Sequence, residues 1–197
     1  MNKMDDKFKN RYRIPSARLH TWDYGTNGAY FITICTKHRE HFFGDIVNDF
    51  MKLNVVGELV DYYWKQISEN FPFIQLDKHV VMPNHMHGIL MIEKPVETRF
   101  IASSNSSSQM SPIQSNVSIK SSGGITGGKN PMLNENISKV LRWYKGKCSK
   151  EIHKINPEFE WQSRFHDHII RNPEEFERIK FYIENNPKNW NKDKFNE

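Results

Sequence analysis

Two histidines separated by one residue are the pair in this sequence best placed to bind a metal ion. They follow Pro83 and Asn84, which predict a tight turn between two strands. Side chains alternate between the two faces of a strand, so His85 and His87 should point to one side and Met86 to the other. Two imidazoles side by side on a rigid strand form a ready pair of metal ligands. Two hydrogen-bonded surface histidines would give the same pattern.

A helix near the C-terminal end is predicted to carry a second set of polar groups. Asn172–Glu175 supplies a cap, a first-turn proline and a capping-box glutamate, and Pro187 ends the helix. Arg178, Tyr182 and Asn186 are spaced by four, and four residues turn a helix by about 40° net, so they should follow one flank. Facing the histidines, they could hold a phosphate, attack phosphorus and complete a metal site, respectively. A packing role for Tyr182 is the alternative.

Composition limits the classes of protein to which the chain can belong. It has 197 residues, about one domain's worth, with a formal net charge of +5 and a pI near 9.1. This balance favours an anionic partner. Cys35 and Cys148 are too few for a disulfide scaffold or a four-cysteine zinc site. The charged start of the chain lacks a secretory signal and no apolar run could cross a bilayer, so we expect a cytoplasmic protein.

The elements that must position these groups can be predicted from periodicity. Tyr30–Thr36 and Ile74–Met82 have the β-branched and aromatic content of strands, and a third strand should follow the turn. Apolar spacing predicts amphipathic helices over about 50–68 and 134–154. A short strand region is predicted over 160–170, before the last helix.

Two segments of unusual composition are predicted to flank or interrupt a single domain that spans residues 1–197. Residues 1–20 form a basic arm in which Arg11, Arg13 and Arg18 could follow a phosphate backbone, although a solvated tail would have the same spacing. Residues 97–133 are rich in serine and glycine and poor in aromatic residues. We interpret them as a flexible insertion.

The predicted helix over 134–154 has a strongly basic surface. Arg142 and Lys145 lie beside Trp143, and arginine with an aromatic ring can hold both the backbone and the bases of DNA. An ordinary solvated helix face is the alternative. The basic residues beside Trp143 therefore predict a DNA contact surface on this helix.

Four stretches together resemble the REP-associated tyrosine transposases, which are single-tyrosine members of the HUH endonucleases. In chain order they are Tyr30–Thr36, Val81–His87, Trp161–Asn172 and Tyr182–Pro187. Four stretches in this order are specific, whereas a lone His-x-His is not. The resemblance implies an α+β, ferredoxin-like sandwich, with an antiparallel sheet that carries the HUH motif and helices packed on one face.

The resemblance also implies roles for residues of this chain. Tyr182 would be the catalytic nucleophile, and His85, His87 and Asn186 would bind Mg²⁺ or Mn²⁺. The protein would then be a metal-dependent single-strand DNA endonuclease and strand transferase. It would act on hairpin repeat DNA through a 5′-phosphotyrosine, as a monomer or homodimer without a membrane partner. The residues expected to bind DNA are Arg11, Arg13, Arg18, Arg142, Lys145, Arg164 and Arg178.

Other functions stay open at this point. A histidine-triad nucleotide hydrolase would need a third alternating histidine, but position 89 is isoleucine. A domesticated repeat-hairpin DNA-binding protein could keep the fold without turnover. His166 and His168 compete for the metal role, although the charged Asp167 between them fits a buried position poorly.

Overall fold

The protein is built on a four-stranded antiparallel sheet. The computed structural model describes residues 24–94 and 135–196, so the predicted basic arm and the predicted insertion lie outside the described residues. The strands in chain order are β1 (Gly28–Cys35), β2 (Gly44–Val47), β3 (Phe50–Leu53), β4 (Ile74–Met82), β5 (His85–Ile92) and β6 (His166–Ile170). The main sheet has the order β4-β5-β1-β6, and β2 pairs with β3 in a separate hairpin.

Among the described residues, four α-helices connect or cover these strands. They are α1 (Val55–Lys65), α2 (Ile67–Asn70), α3 (Ile137–Ile152) and α4 (Pro173–Asn185), and a 3-10 helix follows at Pro187–Lys192. The succession β1, α1, β4, β5, α3, β6 with this strand order is the ferredoxin-like arrangement, so the α+β prediction is confirmed. Among the residues that the structure describes, no helix combines the length and the apolar character needed to cross a bilayer.

Helices α1 and α3 pack on one face of the sheet and form the larger core. Side chains at alternate positions of β1, including Tyr30, Ile32 and Ile34, point into it and are fully buried. Trp64 of α1 and Tyr144 of α3 meet there edge to face, with ring centroids 5.4 Å apart. The period-2 pattern of β1 thus decides which of its side chains belong to this core.

Helix α4 lies on the opposite face, over a much smaller core. Ile179 and Ile183 of the helix pack against Ile89 of β5 and Ile170 of β6. The expectation of helices on one face therefore holds for α1 and α3 but not for α4. Because His85 and His87 share the face of Ile89, this helix covers the side of the sheet on which the histidines lie.

Residues 44–53 form a hairpin, which corrects the prediction of a helix from about residue 50. Its two turn residues, Asn48 and Asp49, have φ values of 51° and 66°, as a two-residue turn between twisted strands requires. Helix α1 begins only after Asn54, whose side chain accepts a hydrogen bond from the Gly57 amide at 3.0 Å. Leu53 fitted the helical spacing, but it lies in β3.

Gly88 lies where strand β5 passes under the indole of Trp64. A Cβ atom at this position would lie 2.3 Å from a ring carbon of the buried Trp64. We expect Gly88→Ala to lower the free energy of unfolding by about 1–3 kcal/mol, measured by urea denaturation, because the core must shift to make room. Unchanged stability would contradict this close packing. Gly146→Ala is the control, because a Cβ there meets no atom within 4 Å.

Candidate active site

The two histidines meet on the face of the sheet covered by α4. Their Nε2 atoms are 3.1 Å apart, and the side chains are 0% and 1% exposed. Met86 points to the opposite side, where its sulfur lies 3.2 Å from the Tyr144 hydroxyl. The predicted alternation across β5 is therefore confirmed.

The Asn84 side chain sets the orientation of the His85 ring. Its amide nitrogen donates to the backbone carbonyls of Arg39 and Phe195, at 3.0 and 2.6 Å. Its oxygen is left to accept a hydrogen bond from Nδ1 of His85 at 2.8 Å. With a proton on Nδ1, neutral His85 presents a lone pair at Nε2, the usual arrangement for a ligand positioned by an outer hydrogen bond.

His87 is held in a similar way. Its Nδ1 lies 2.8 Å from the hydroxyl oxygen of Thr33, to which it can donate. Burial lowers the pKa of His85 to about 4, and burial together with His85 lowers the pKa of His87 well below its ordinary value. Both rings are therefore neutral at pH 7. Two Nε2 lone pairs turned toward each other at this distance repel unless a proton or a cation lies between them.

Helix α4 brings Tyr182 to this pair. The helix begins as predicted, because the Asn172 side chain accepts from the Glu175 amide at 2.8 Å and Pro173 follows the cap. The Tyr182 hydroxyl lies 3.2 Å from Nε2 of His87, and the residue is 40% exposed. Burial, with the nearby Asp193 carboxylate as the next cause, raises the pKa of Tyr182 to about 12. The phenol is thus protonated at neutral pH and must lose its proton to react.

Asn186 lies one residue beyond α4 and still has helical dihedral angles, so it continues the flank of Tyr182. It is 1% exposed, and its amide nitrogen donates to the Asp193 carboxylate at 2.9 Å. Its side-chain oxygen is buried without a hydrogen-bond partner. Such an oxygen costs about 1–3 kcal/mol, and a cation bound there would satisfy it.

Asp193 is a candidate ligand that the sequence reasoning missed. One side-chain atom each from His85, His87 and Asp193 lie within 4.8 Å of one another. The Asp193 carboxylate is held by two hydrogen bonds: one from the Asn186 side chain, and one from the Phe195 amide at 2.8 Å. It follows a 3-10 helix, where no periodic pattern marks it. No short-range signal in the sequence pointed to it.

The Tyr182 hydroxyl faces a cleft of about 770 Å³ between α4, the sheet and the C-terminal segment. Arg178, Lys192 and Lys194 line it together with Phe31 and Phe195. Arg178 is highly exposed and lies 3.4 Å from the carboxylate of Glu175. A cationic cleft with aromatic walls can accept a phosphate and its neighbouring bases.

The second histidine pair is exposed and does not form a comparable site. His166 and His168 pair with Thr33 and Phe31 of β1, so they share the sheet face of His87. His168 lines the cleft, and its Nε2 lies 2.8 Å from the Glu175 carboxylate. His168 is therefore a rim residue, positioned by α4.

Of the other residues predicted to bind DNA, Arg142, Lys145 and Arg164 do not line this cleft. Arg142 and Lys145 are on α3, across the sheet from the histidines, and Arg164 is exposed in the segment before β6. Lys145 is half-buried and donates to the Gln162 carbonyl, and burial lowers its pKa to about 8. The positions of the arm arginines fall outside the described residues: Arg11, Arg13 and Arg18.

Comparison with known proteins places the chain in a family. No protein-family model matches it. An uncharacterized protein of Haemophilus influenzae is 33% identical over 179 residues, which are 90% of each chain. The chain belongs to the family of this Haemophilus protein. The match extends over most of both proteins, since it leaves only a tenth of either chain uncovered.

Among solved structures, a REP-associated tyrosine transposase bound to a REP hairpin has a similar fold. It is 18% identical, with a TM-score of 0.54, over 89% of this chain and 74% of that chain. The protein therefore has the fold that the sequence resemblance implied. A Deinococcus radiodurans R1 crystal structure is a weaker match, at 13% identity and a TM-score of 0.42, and supports no argument.

Proposed function

We propose that the protein is a metal-dependent single-strand DNA endonuclease and strand transferase that acts on hairpin repeat DNA. The observation that carries this proposal is the approach of the Tyr182 hydroxyl to His87 Nε2, at 3.2 Å, inside a cationic cleft. A nucleophile beside a pair of neutral imidazoles is suited to phosphoryl transfer. The REP hairpin bound to the transposase of similar fold supports the choice of substrate.

The donor set around His85 fits a divalent cation. His85 and His87 offer imidazole nitrogens, Asn186 offers an otherwise unpartnered oxygen, and Asp193 offers a carboxylate. Mixed nitrogen and oxygen ligands suit Mn²⁺ better than Mg²⁺, which prefers oxygen alone. When bound, such an ion would supply Lewis-acid stabilisation of the charge on the scissile phosphate.

We propose a reaction between the groups present, with the strand polarity that the family resemblance implies. The Tyr182 oxygen forms a bond to phosphorus, and the bond from phosphorus to the upstream O3′ breaks. The downstream strand stays attached as a 5′-phosphotyrosine, and the upstream strand leaves with a 3′-OH. One phosphodiester replaces another, so no nucleotide triphosphate is consumed. The proposed acceptor of the phenol proton is the Asp193 carboxylate, which lines the same cleft as Tyr182, and the leaving O3′ takes up a proton from water.

The test incubates the protein and Mn²⁺ with a labelled single-stranded hairpin oligonucleotide, whose sequence is taken from palindromic repeats of the host genome. We expect a covalent protein–DNA adduct that retains a 3′ label, and a released upstream fragment with a free 3′-OH. Chelation of the metal should prevent both. Hairpin binding without cleavage in either Mn²⁺ or Mg²⁺ would instead favour a DNA-binding protein without turnover.

Asn186→Leu tests the metal site without an activity assay. We expect Mn²⁺ to raise the thermal midpoint of the wild type, because a ligand at about 100 times its Kd stabilises a fold by about 2.7 kcal/mol. The variant lacks the oxygen ligand and should lose most of this rise. Its stability in chelator should fall only modestly, because the loss of the amide hydrogen bond to Asp193 is offset by the removal of a buried oxygen without a partner. An undiminished rise would exclude Asn186 as a ligand.

A further inference from the structure

A second cleft lies on the sheet face opposite the histidines, between α3 and the end of α2. It measures about 600 Å³. Its α3 side is one continuous stripe, because the residues are spaced by three and four along the helix. The stripe consists of Lys139, Arg142, Trp143, Gly146 and Lys147, and Phe71 closes the cleft from the other side.

The charge of this cleft is complementary to a polyanion. Three of the five stripe residues are cationic, and none of the described residues that line the cleft is acidic. The half-buried indole of Trp143 is braced edge to face by Phe71, with ring centroids 5.6 Å apart. Cations beside an aromatic ring form the combination that holds single-stranded nucleic acid, through phosphates and stacked bases.

Gly146 is the unusual residue of the stripe. Glycine inside a helix is unfavourable relative to alanine, and here no packing constraint requires it, because a Cβ would meet no atom within 4 Å. It leaves the helix surface bare between Trp143 and Lys147. A glycine that the fold does not need, in the middle of a cleft, is consistent with close approach of a ligand.

We propose that this cleft binds a single-stranded DNA segment, with one base stacked on Trp143 above Gly146 and phosphates on Lys139, Arg142 and Lys147. The choice of DNA rests on the proposed function. Because α3 and α4 cover opposite faces of the sheet, the segment bound here belongs to a part of the strand outside the reaction cleft. The cleft therefore adds affinity for the substrate without touching the scissile phosphate.

The test measures binding of a labelled single-stranded oligonucleotide in chelator, in a Tyr182→Phe background that cannot cleave it. Trp143→Leu should weaken binding on the order of tenfold, whereas Trp143→Tyr, which keeps a stacking ring, should retain most of the affinity. Lys147→Ala should reduce the slope of log affinity against log salt by about 0.7. Lys52→Ala, an exposed lysine on the β2–β3 hairpin, is the charge-matched control and should leave the slope unchanged.

Gly146→Gln separates a ligand role from a structural one. Glutamine favours the helix, so the thermal midpoint should rise by about 1–3 °C, while its side chain fills the cleft and affinity falls on the order of tenfold. The proposal is overturned if Gly146→Gln, Trp143→Leu and Lys147→Ala bind as Lys52→Ala does. If the wild type forms no covalent adduct, the proposed function fails. The differences in oligonucleotide affinity between these variants would still test whether the cleft binds DNA.

Discussion

Tyr182→Phe is expected to abolish the covalent protein–DNA adduct while hairpin binding stays close to that of the wild type. The substitution removes one oxygen and keeps the ring, which packs edge to face on Phe31 with centroids 6.1 Å apart. Among the described residues that line the cleft, only Thr33 has another hydroxyl, and it lies against His87 Nδ1, so the rate should fall by at least about 10³-fold. Denaturing gels with 3′-labelled hairpin measure the adduct, and anisotropy measures the affinity.

Tyr62→Phe is the matched control, because this exposed tyrosine lies on α1, across the sheet from the cleft. It should form adduct at the wild-type rate. An adduct that persists in Tyr182→Phe would assign the nucleophile to another residue. Tyr144 is a poor substitute, since it is fully buried and its hydroxyl donates to the Val60 carbonyl at 3.1 Å.

His85→Ala is expected to eliminate cleavage and the Mn²⁺-induced rise in thermal midpoint, while hairpin affinity in chelator stays nearly intact. The variant loses one of two imidazole ligands, but the cations that line the cleft, Arg178, Lys192 and Lys194, are unchanged. Metal affinity should fall by at least about 100-fold, since even outer-shell changes cost 10–100-fold. Calorimetric titration with Mn²⁺ measures this directly.

His79→Ala is the control for removal of a partly buried histidine. His79 pairs with Asp61 at 2.7 Å, on the side of the sheet away from Tyr182, so its loss should lower stability but not metal binding. If His85→Ala also loses hairpin affinity and folded structure, the histidine pair is structural and the proposed metal role fails.

The sequence predicted the local features of the site well because each has a short-range cause. Strand alternation placed His85 and His87 on one face, and the cap at Asn172 with a spacing of four placed Tyr182 and Asn186 on one flank. Only the family resemblance indicated that this flank faces the histidines. Periodicity does not say on which side of a sheet a helix packs, and α4 lies on the face opposite α1 and α3.

The parts that were missed depend on long-range contacts or irregular backbone. Strand β3 fell within the helix predicted from about residue 50 because Leu53 matches the apolar period of α1, although Asn48 and Asp49, two consecutive turn-forming residues, precede it. Asp193 could not be predicted, because its place beside the histidines depends on how the chain folds back after α4. Asn84 was assigned to a turn, whereas its side chain also fixes the tautomer of His85.

The hydrogen bond from Asn84 to the Phe195 carbonyl joins residues 111 positions apart, and it has a consequence for the order of assembly during synthesis. Strands β1, β4 and β5 can pair, with both histidines in place, while the ribosome is still adding the residues after α3. The Asp193 carboxylate and the Phe195 ring, 4.6 Å from that of His85, arrive only later. A nascent chain therefore carries the histidine pair before it has a complete cleft, and the proposed cleavage should begin only after the residues that follow α4 have been added.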